Sequence, residues 1–162
     1  MTRLFLSASF DVVFRFHLFD MNYKAINEFG AVADKALVAM KKRAEALSIK
    51  GVAVVACSKG RTVKSWSSKM LVVGNLTAAP SPKSPAGSNF LAIACAKAAE
   101  MASTQKDSGS QVRPPMTGET GWKGGVVARG RSGLLIAAFS GGPSEDDVKV
   151  SRAGLKVLSA AL

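Results

Sequence analysis

Residue types that can carry out covalent or acid–base chemistry are sparse in this chain, and their spacing limits what they can do. A Ser-His-Asp or Cys-His arrangement needs an imidazole base within reach of the nucleophile, and the only histidine is His17, near the start. Cys57 and Cys95 show neither metal-ligand spacing nor a disulfide framework, and read as buried small hydrophobes in a reducing compartment. Glu145, Asp146 and Asp147 form an acidic trio after Gly141-Gly142-Pro143-Ser144. A metal site or an acid/base pair can be drawn there, but carboxylates in a first helical turn are already explained by the macrodipole. Ser144 with Asp147 three residues later reads as a capping box. A phosphate at the same helix start would meet those carboxylates. The set best suited to a ligand lies upstream, where Arg113, Met116, Trp122 and Lys123 stand close to Gly124 and Gly125. An aromatic ring, a thioether and cations suit a flat molecule bearing carboxylates, and paired glycines let it approach the backbone. Trp122 reads equally as a packing residue at a sheet edge, and Met116 as a gap-filler.

The elements that must position these residues follow from hydrophobic period. Residues 126–128 and 134–139 are strand-length apolar runs joined by Arg-Gly-Arg-Ser-Gly turn chemistry, a predicted hairpin. The last helix follows, with Val148, Ser151, Leu155 and Leu158 on one face. Upstream, residues 22–47 carry Ile26, Phe29, Ala33, Leu37, Met40, Ala44 and Leu47 at helical spacing, flanked by lysines that read as a solvated face. Residues 51–57 are a continuous apolar run expected of a central strand, ended by a Ser-Lys-Gly-Arg turn. Residues 63–73 pair back on it, with Trp66, Met70 and Val72 on a shared face. The proline-rich stretch 77–87 reads as an irregular connection. Ser88 or Asn89 then caps a helix running to about Thr104, with Leu91, Ala94, Ala98 and Met101 on one side. Residues 105–121 read as loop. From Met21 the predicted order is helix, two strands, helix, two or more strands, helix.

With 162 residues, nearly half of them apolar, the chain can bury one core of ordinary size, and residues 21–162 read as a single domain. A formal charge of +11 favours anionic company: small molecules with carboxylates or phosphates, an acidic membrane surface, or nucleic acid. No DNA-reading motif accompanies that charge. The first twenty residues hold five of the eight phenylalanines, with Leu4 to Leu18 alternating at strand period. Three readings are open for them: an extra strand, a mitochondrial-type leader weakened by Asp11 and Asp20, or an extension before a domain starting at Met21. The last is preferred, with the domain expected in the cytoplasm and no transmembrane segment.

Gly124-Gly125-Val126, Ser140-Gly141, Asp147 and Ala153-Gly154-Leu155 together resemble the signature of the GlcG/HbpS-like family, which includes haem-degrading domains and the C-terminal domain of PduO. Lys97-Ala98 and the strand at 51–57 resemble further positions of that family, so the likeness runs from about Tyr23 to the end. Val127 departs from it, standing where many members have proline, and Glu100-Met101 stands where many have Thr-Ala. The resemblance implies an α/β (α+β), profilin-like or PAS-like antiparallel sheet packed by helices. It also implies a homo-oligomer and binding of haem or a comparable small anionic ligand. If haem binds, the candidates for its axial ligand are Met116, Tyr23, Cys57, His17 or a hydroxyl. The rival reading is a non-catalytic oligomeric assembly or interaction protein whose basic surface touches nucleic acid.

Overall fold

In a computed structural model of the chain, the structure describes residues 28–162 other than Arg61, Lys83 and Ser132. The expectations for residues 1–20, and the ligand candidates His17 and Tyr23, fall outside the described residues. The first helix, α1, is described over residues 28–46. It is followed by β1 (Gly51–Ser58), β2 (Trp66–Val73), the two-residue strands β3 (Thr77–Ala78) and β4 (Ser88–Asn89), then α2 (Phe90–Thr104), β5 (Gly125–Arg129), β6 (Leu134–Ser140) and α3 (Ser144–Ala161). The main sheet is antiparallel throughout, in the order β2-β1-β6-β5. This is the predicted mixed α/β architecture.

A sheet covered on both faces explains why β1 and β6 read as unbroken apolar runs. Ala53, Val55, Leu135, Ala137 and Phe139 pack with Phe29, Leu37 and Met40 of α1 and with Val150 and Leu158 of α3. The alternate residues Val52, Val54, Ala56, Leu134, Ile136 and Ala138 pack with Ala94, Ala98 and Met101 of α2. Register fixes this division: β1 and β6 pair Ala53 with Phe139 and Val54 with Ala138, so each opposed pair points to one face. Helices α1 and α3 approach closely because position 154 has no side chain; a Cβ there would lie 2.5 Å from the Met40 sulfur.

Local signals account for the element ends. The Asn89 side chain accepts a hydrogen bond from the Ala92 N–H at 3.0 Å and caps α2. At the other end Gln105 takes a left-handed conformation, φ 56°, and its N–H returns to the Met101 carbonyl at 2.8 Å.

Four expectations need correction. The connection 77–87 is not wholly irregular: Thr77 and Ala78 pair with Asn89 and Ser88, and Ser81 bridges Ser84, so backbone groups freed by the prolines find partners within the excursion. Strand β2 begins at Trp66 rather than Val63. The capping box at Ser144 does not form, because the Pro143 carbonyl already accepts from the Asp146 and Asp147 N–H groups, which makes Pro143 the N-cap. Cys57 is only half-buried, packed against the edge of the core, and Cys95 is exposed, so neither is fully buried.

Candidate functional site

Two polar clusters hold together the region from which ligand residues are expected. The first is a buried ion pair between α2 and α3. Lys97 is 2% exposed and Asp147 3%. Lys97 follows from the helical face it shares with Ala94, Ala98 and Met101, which turns its stem into the core. Its Nζ donates to Asp147 Oδ2 at 2.9 Å and to the Phe139 carbonyl at 2.8 Å. Asp147 Oδ1 accepts from the Gly142 N–H at 2.9 Å. Burial pushes the Lys97 ammonium below its usual range and the Asp147 carboxyl above its own, and each partner's charge opposes that drift. The donors around Asp147 favour the charged pair.

Gly124 is what makes room for this pair. It adopts φ +135°, and a Cβ there would stand 2.2 Å from Lys97 Nζ and 2.9 Å from the Asp147 Cβ. Its carbonyl accepts from the Ser151 hydroxyl at 2.6 Å and from the Phe139 N–H at 3.0 Å. A glycine, a lysine and an aspartate from three separate stretches are thus locked into one contact.

The second cluster shapes residues 105–124. Glu100, 6% exposed, accepts from the Gly109 N–H at 2.8 Å and the Gly121 N–H at 3.2 Å, tying both ends of the loop to α2. Within the loop, Arg113 and Glu119 form a two-pronged ion pair at 2.7 and 2.8 Å, and Arg113 also donates to the Ser103 hydroxyl at 2.9 Å. The Arg113 guanidinium and the Met116 N–H draw the Glu119 carboxyl down to about 2. Ser108 accepts from the Gly125 N–H at 2.8 Å and continues the tether to β5.

Between loop and helix lies a cleft of about 650 Å³ lined by Glu100, Gln111, Val112, Arg113, Pro114, Pro115, Thr120, Gly121 and Trp122. Of the six candidate ligand residues, Arg113 and Trp122 line it. Trp122 is 57% exposed at this cleft, whereas Arg113 is engaged by Glu119. Met116 is on the same loop, 60% exposed and outside the lining. Lys123 is exposed and pairs with Glu145 at 3.3 Å. Gly124 belongs to the buried ion pair, and Gly125 opens β5 against the Met101 thioether. The acidic trio separates: Asp147 enters the core, Asp146 pairs with Lys149, and Glu145 with Lys123. No group of three metal-ligating side chains converges among the described residues.

The cleft fits the ring of a haem better than its iron. Trp122, Val112 and two prolines suit a flat apolar body, but of the candidate axial ligands the lining offers only a hydroxyl, that of Thr120, and no imidazole, thiol, thioether or phenolate. Cys57 is remote from it, packed against the core on the sheet face of α1 and α3.

Lys97 and Glu100 were not singled out as site residues by their chemistry. The signal was a pair of charges in the otherwise apolar stretch FLAIACAKAAEM, with Lys97 three residues after Ala94 and four before Met101. No protein-family model, curated protein or solved structure gives a significant match to this chain. None of the described helices is long and apolar enough to cross a membrane.

Proposed function

We propose that the chain is a small-ligand-binding domain of the GlcG/HbpS-like type that holds a planar anionic molecule, haem or a comparable compound, in the cleft beside Trp122. The observation that carries this reading is the cleft itself. Its walls are pre-formed by Glu100 and by the Arg113–Glu119 pair, and an indole ring is left more than half exposed at it. Supporting the family reading, Lys97, Gly124 and Asp147, three positions on which the resemblance rests, meet in one buried contact although they are distant in sequence. In this reading the ring stacks on Trp122, Val112 and the prolines exclude water, and Lys123 offers a cation to a carboxylate. Iron receives no imidazole, thiolate, thioether or phenolate ligand from the cleft lining.

The test uses the Trp66→Phe protein, in which Trp122 is the single tryptophan, titrated with haem and with metal-free protoporphyrin. Both should quench its fluorescence saturably at micromolar concentration, with affinities within about 3-fold of each other because the iron adds no bond. Trp122→Ala should weaken porphyrin binding by roughly 10-fold or more, measured by porphyrin absorbance. Absence of saturable quenching by either compound overturns the proposal. Haem bound far more tightly than the free porphyrin overturns the unligated-iron part.

A second reading, an interaction protein that touches nucleic acid, is favoured by one observation: Lys35, Lys42 and Arg43 of α1 and Arg152 and Lys156 of α3 are all exposed on the two helices that share one sheet face. Retention on a nucleic-acid column that collapses at moderate salt would support it.

A further inference from the structure

Two hairpin turns that are far apart in sequence leave the main sheet side by side. Ser58 of β1 pairs with Trp66 of β2 and Cys57 with Leu135 of β6, so residues 59–65 and 130–133 turn at the same end. The turns touch: a Cβ at Gly133 would stand 3.0 Å from the Lys59 Cα. Helix α2 ends over this edge. Arg129, which shares its sheet face with Val127, donates to the Gln105 side chain there. Five cations collect at this end: Lys59 and Lys64 in the first turn, Arg129 and Arg131 about the second, and Lys106 just after α2, all of them exposed. Among the described residues, Lys64, Lys106, Arg129 and Arg131 form no ion pair. Neither turn contains a carboxylate, and Asp107, beyond α2, gives its Oδ1 to the Val127 N–H at 2.9 Å. Beside the cations Trp66 is 42% exposed, at a groove of about 440 Å³ whose other walls are Ala99, Ala102 and Ser103 of α2 and Lys64 and Ser65 of the turn.

We propose that this end of the sheet binds single-stranded nucleic acid, with a base stacked on Trp66 and the neighbouring phosphates held by the two turns. Three features choose that partner. The cations do not converge on one point. They are spread from β2 to β5, three strand spacings or ~14 Å, which suits a row of phosphates better than one phosphate or carboxylate. The second feature is the indole, which offers a stacking surface to any base but only to one that has left its own stack. A single strand presents such bases and an intact duplex does not. The third is long-range: a formal charge of +11 draws in a polyanion and raises its rate of encounter. The proposal shares only the class of partner with the second reading above, which rests on α1 and α3. It is independent of the cleft beside Trp122.

The test uses the full-length Trp122→Phe protein, in which Trp66 is the single tryptophan, titrated with an oligothymidylate of ~10 nucleotides. Its fluorescence should be quenched saturably at micromolar concentration. Inorganic polyphosphate, which has the charge and no bases, should compete for the site without quenching, and a duplex should leave the emission unchanged. In the wild-type background, anisotropy of a labelled oligonucleotide reads affinity directly. Trp66→Ala should weaken binding by ~5-fold or more. Lys64→Ala and Arg131→Ala should each lower the slope of log affinity against log salt by ~0.7, with circular dichroism showing a folded protein. Lys42→Ala and Lys156→Ala, on α1 and α3, are the controls and should change affinity by less than ~3-fold. Absence of saturable binding overturns the proposal, as does unchanged affinity in Trp66→Ala. Quenching by duplex equal to that by the single strand overturns the stacking part. Binding that falls with Lys42→Ala and Lys156→Ala but not with the turn variants overturns the site and leaves the reading on α1 and α3 standing.

Discussion

Replacing Lys97 by methionine removes the positive half of the buried pair at nearly constant volume. Asp147, 3% exposed, then keeps its backbone donor at Gly142 but loses the ammonium 2.9 Å from Oδ2, and the Phe139 carbonyl loses its 2.8 Å donor. Breaking one side of such a pair costs about 3–5 kcal/mol, because an uncompensated charge stays buried. For a domain of this length the loss is on the order of 6–20 °C in Tm. The cost also acquires a pH dependence whose sign is fixed. Without Lys97 the Asp147 carboxyl, already raised by burial, is raised further, so the folded state holds its proton at a pH where the unfolded chain has lost it. The variant is therefore least impaired below the ordinary aspartate range, and its deficit grows as pH rises through the elevated folded-state value. Urea unfolding at pH 4 and pH 8, wild type against variant, measures both effects. Lys97→Met/Asp147→Asn should recover more than about half of the loss at pH 8, since the amide can still accept from Gly142 without carrying charge. A deficit below about 1 kcal/mol at pH 8, or one equal at the two pH values, would refute the reasoning.

Gly124→Ala should destabilise the fold by at least ~2 kcal/mol, because φ +135° strains any Cβ and that carbon would stand 2.2 Å from Lys97 Nζ; urea unfolding checks this. Glu119→Ala should speed hydrogen exchange of the Met116 amide, which donates to Glu119, by ~10-fold or more while amides of α2 are unaffected. Since Glu119 titrates at about 2, the protection it gives in the wild type is fully present above the ordinary carboxylate range and is lost as pH falls through about 2. Asn89→Ala should cost about 1 kcal/mol in urea unfolding through loss of the α2 cap.

Period and capping chemistry were enough to place most elements. The unbroken run in β1 did mean burial on both faces, and Asn89 did cap α2. Trp66, Met70 and Val72 do share a face, but period alone says nothing of what covers it; α2 lies over the inner strands instead. Ser144 looked like a cap because residue type was read without the chain path, whereas Pro143, fixed in φ, turns its carbonyl onto the first helical N–H groups. Lys97 was harder to place, since a lysine on a helix is ordinarily read as solvated. Its partner Asp147 lies fifty residues on and joins it only through tertiary packing. The cleft was legible in part: Arg113 and Trp122 do line it, but the claim of Glu119 on Arg113 depends on how the loop closes.

Strand order also governs when this chain can fold. β1 lies between β2, which follows it directly, and β6, which is roughly 80 residues later, so one edge of β1 stays unpaired while those residues are made. At ribosomal rates that interval is on the order of 4–16 s. Throughout it, a nascent β1–β2 hairpin exposes two strand edges and an apolar face, which is the form of intermediate that chaperones hold. Truncation anywhere before Leu134 would leave that hairpin permanently without its closing strand, and such fragments should aggregate instead of folding.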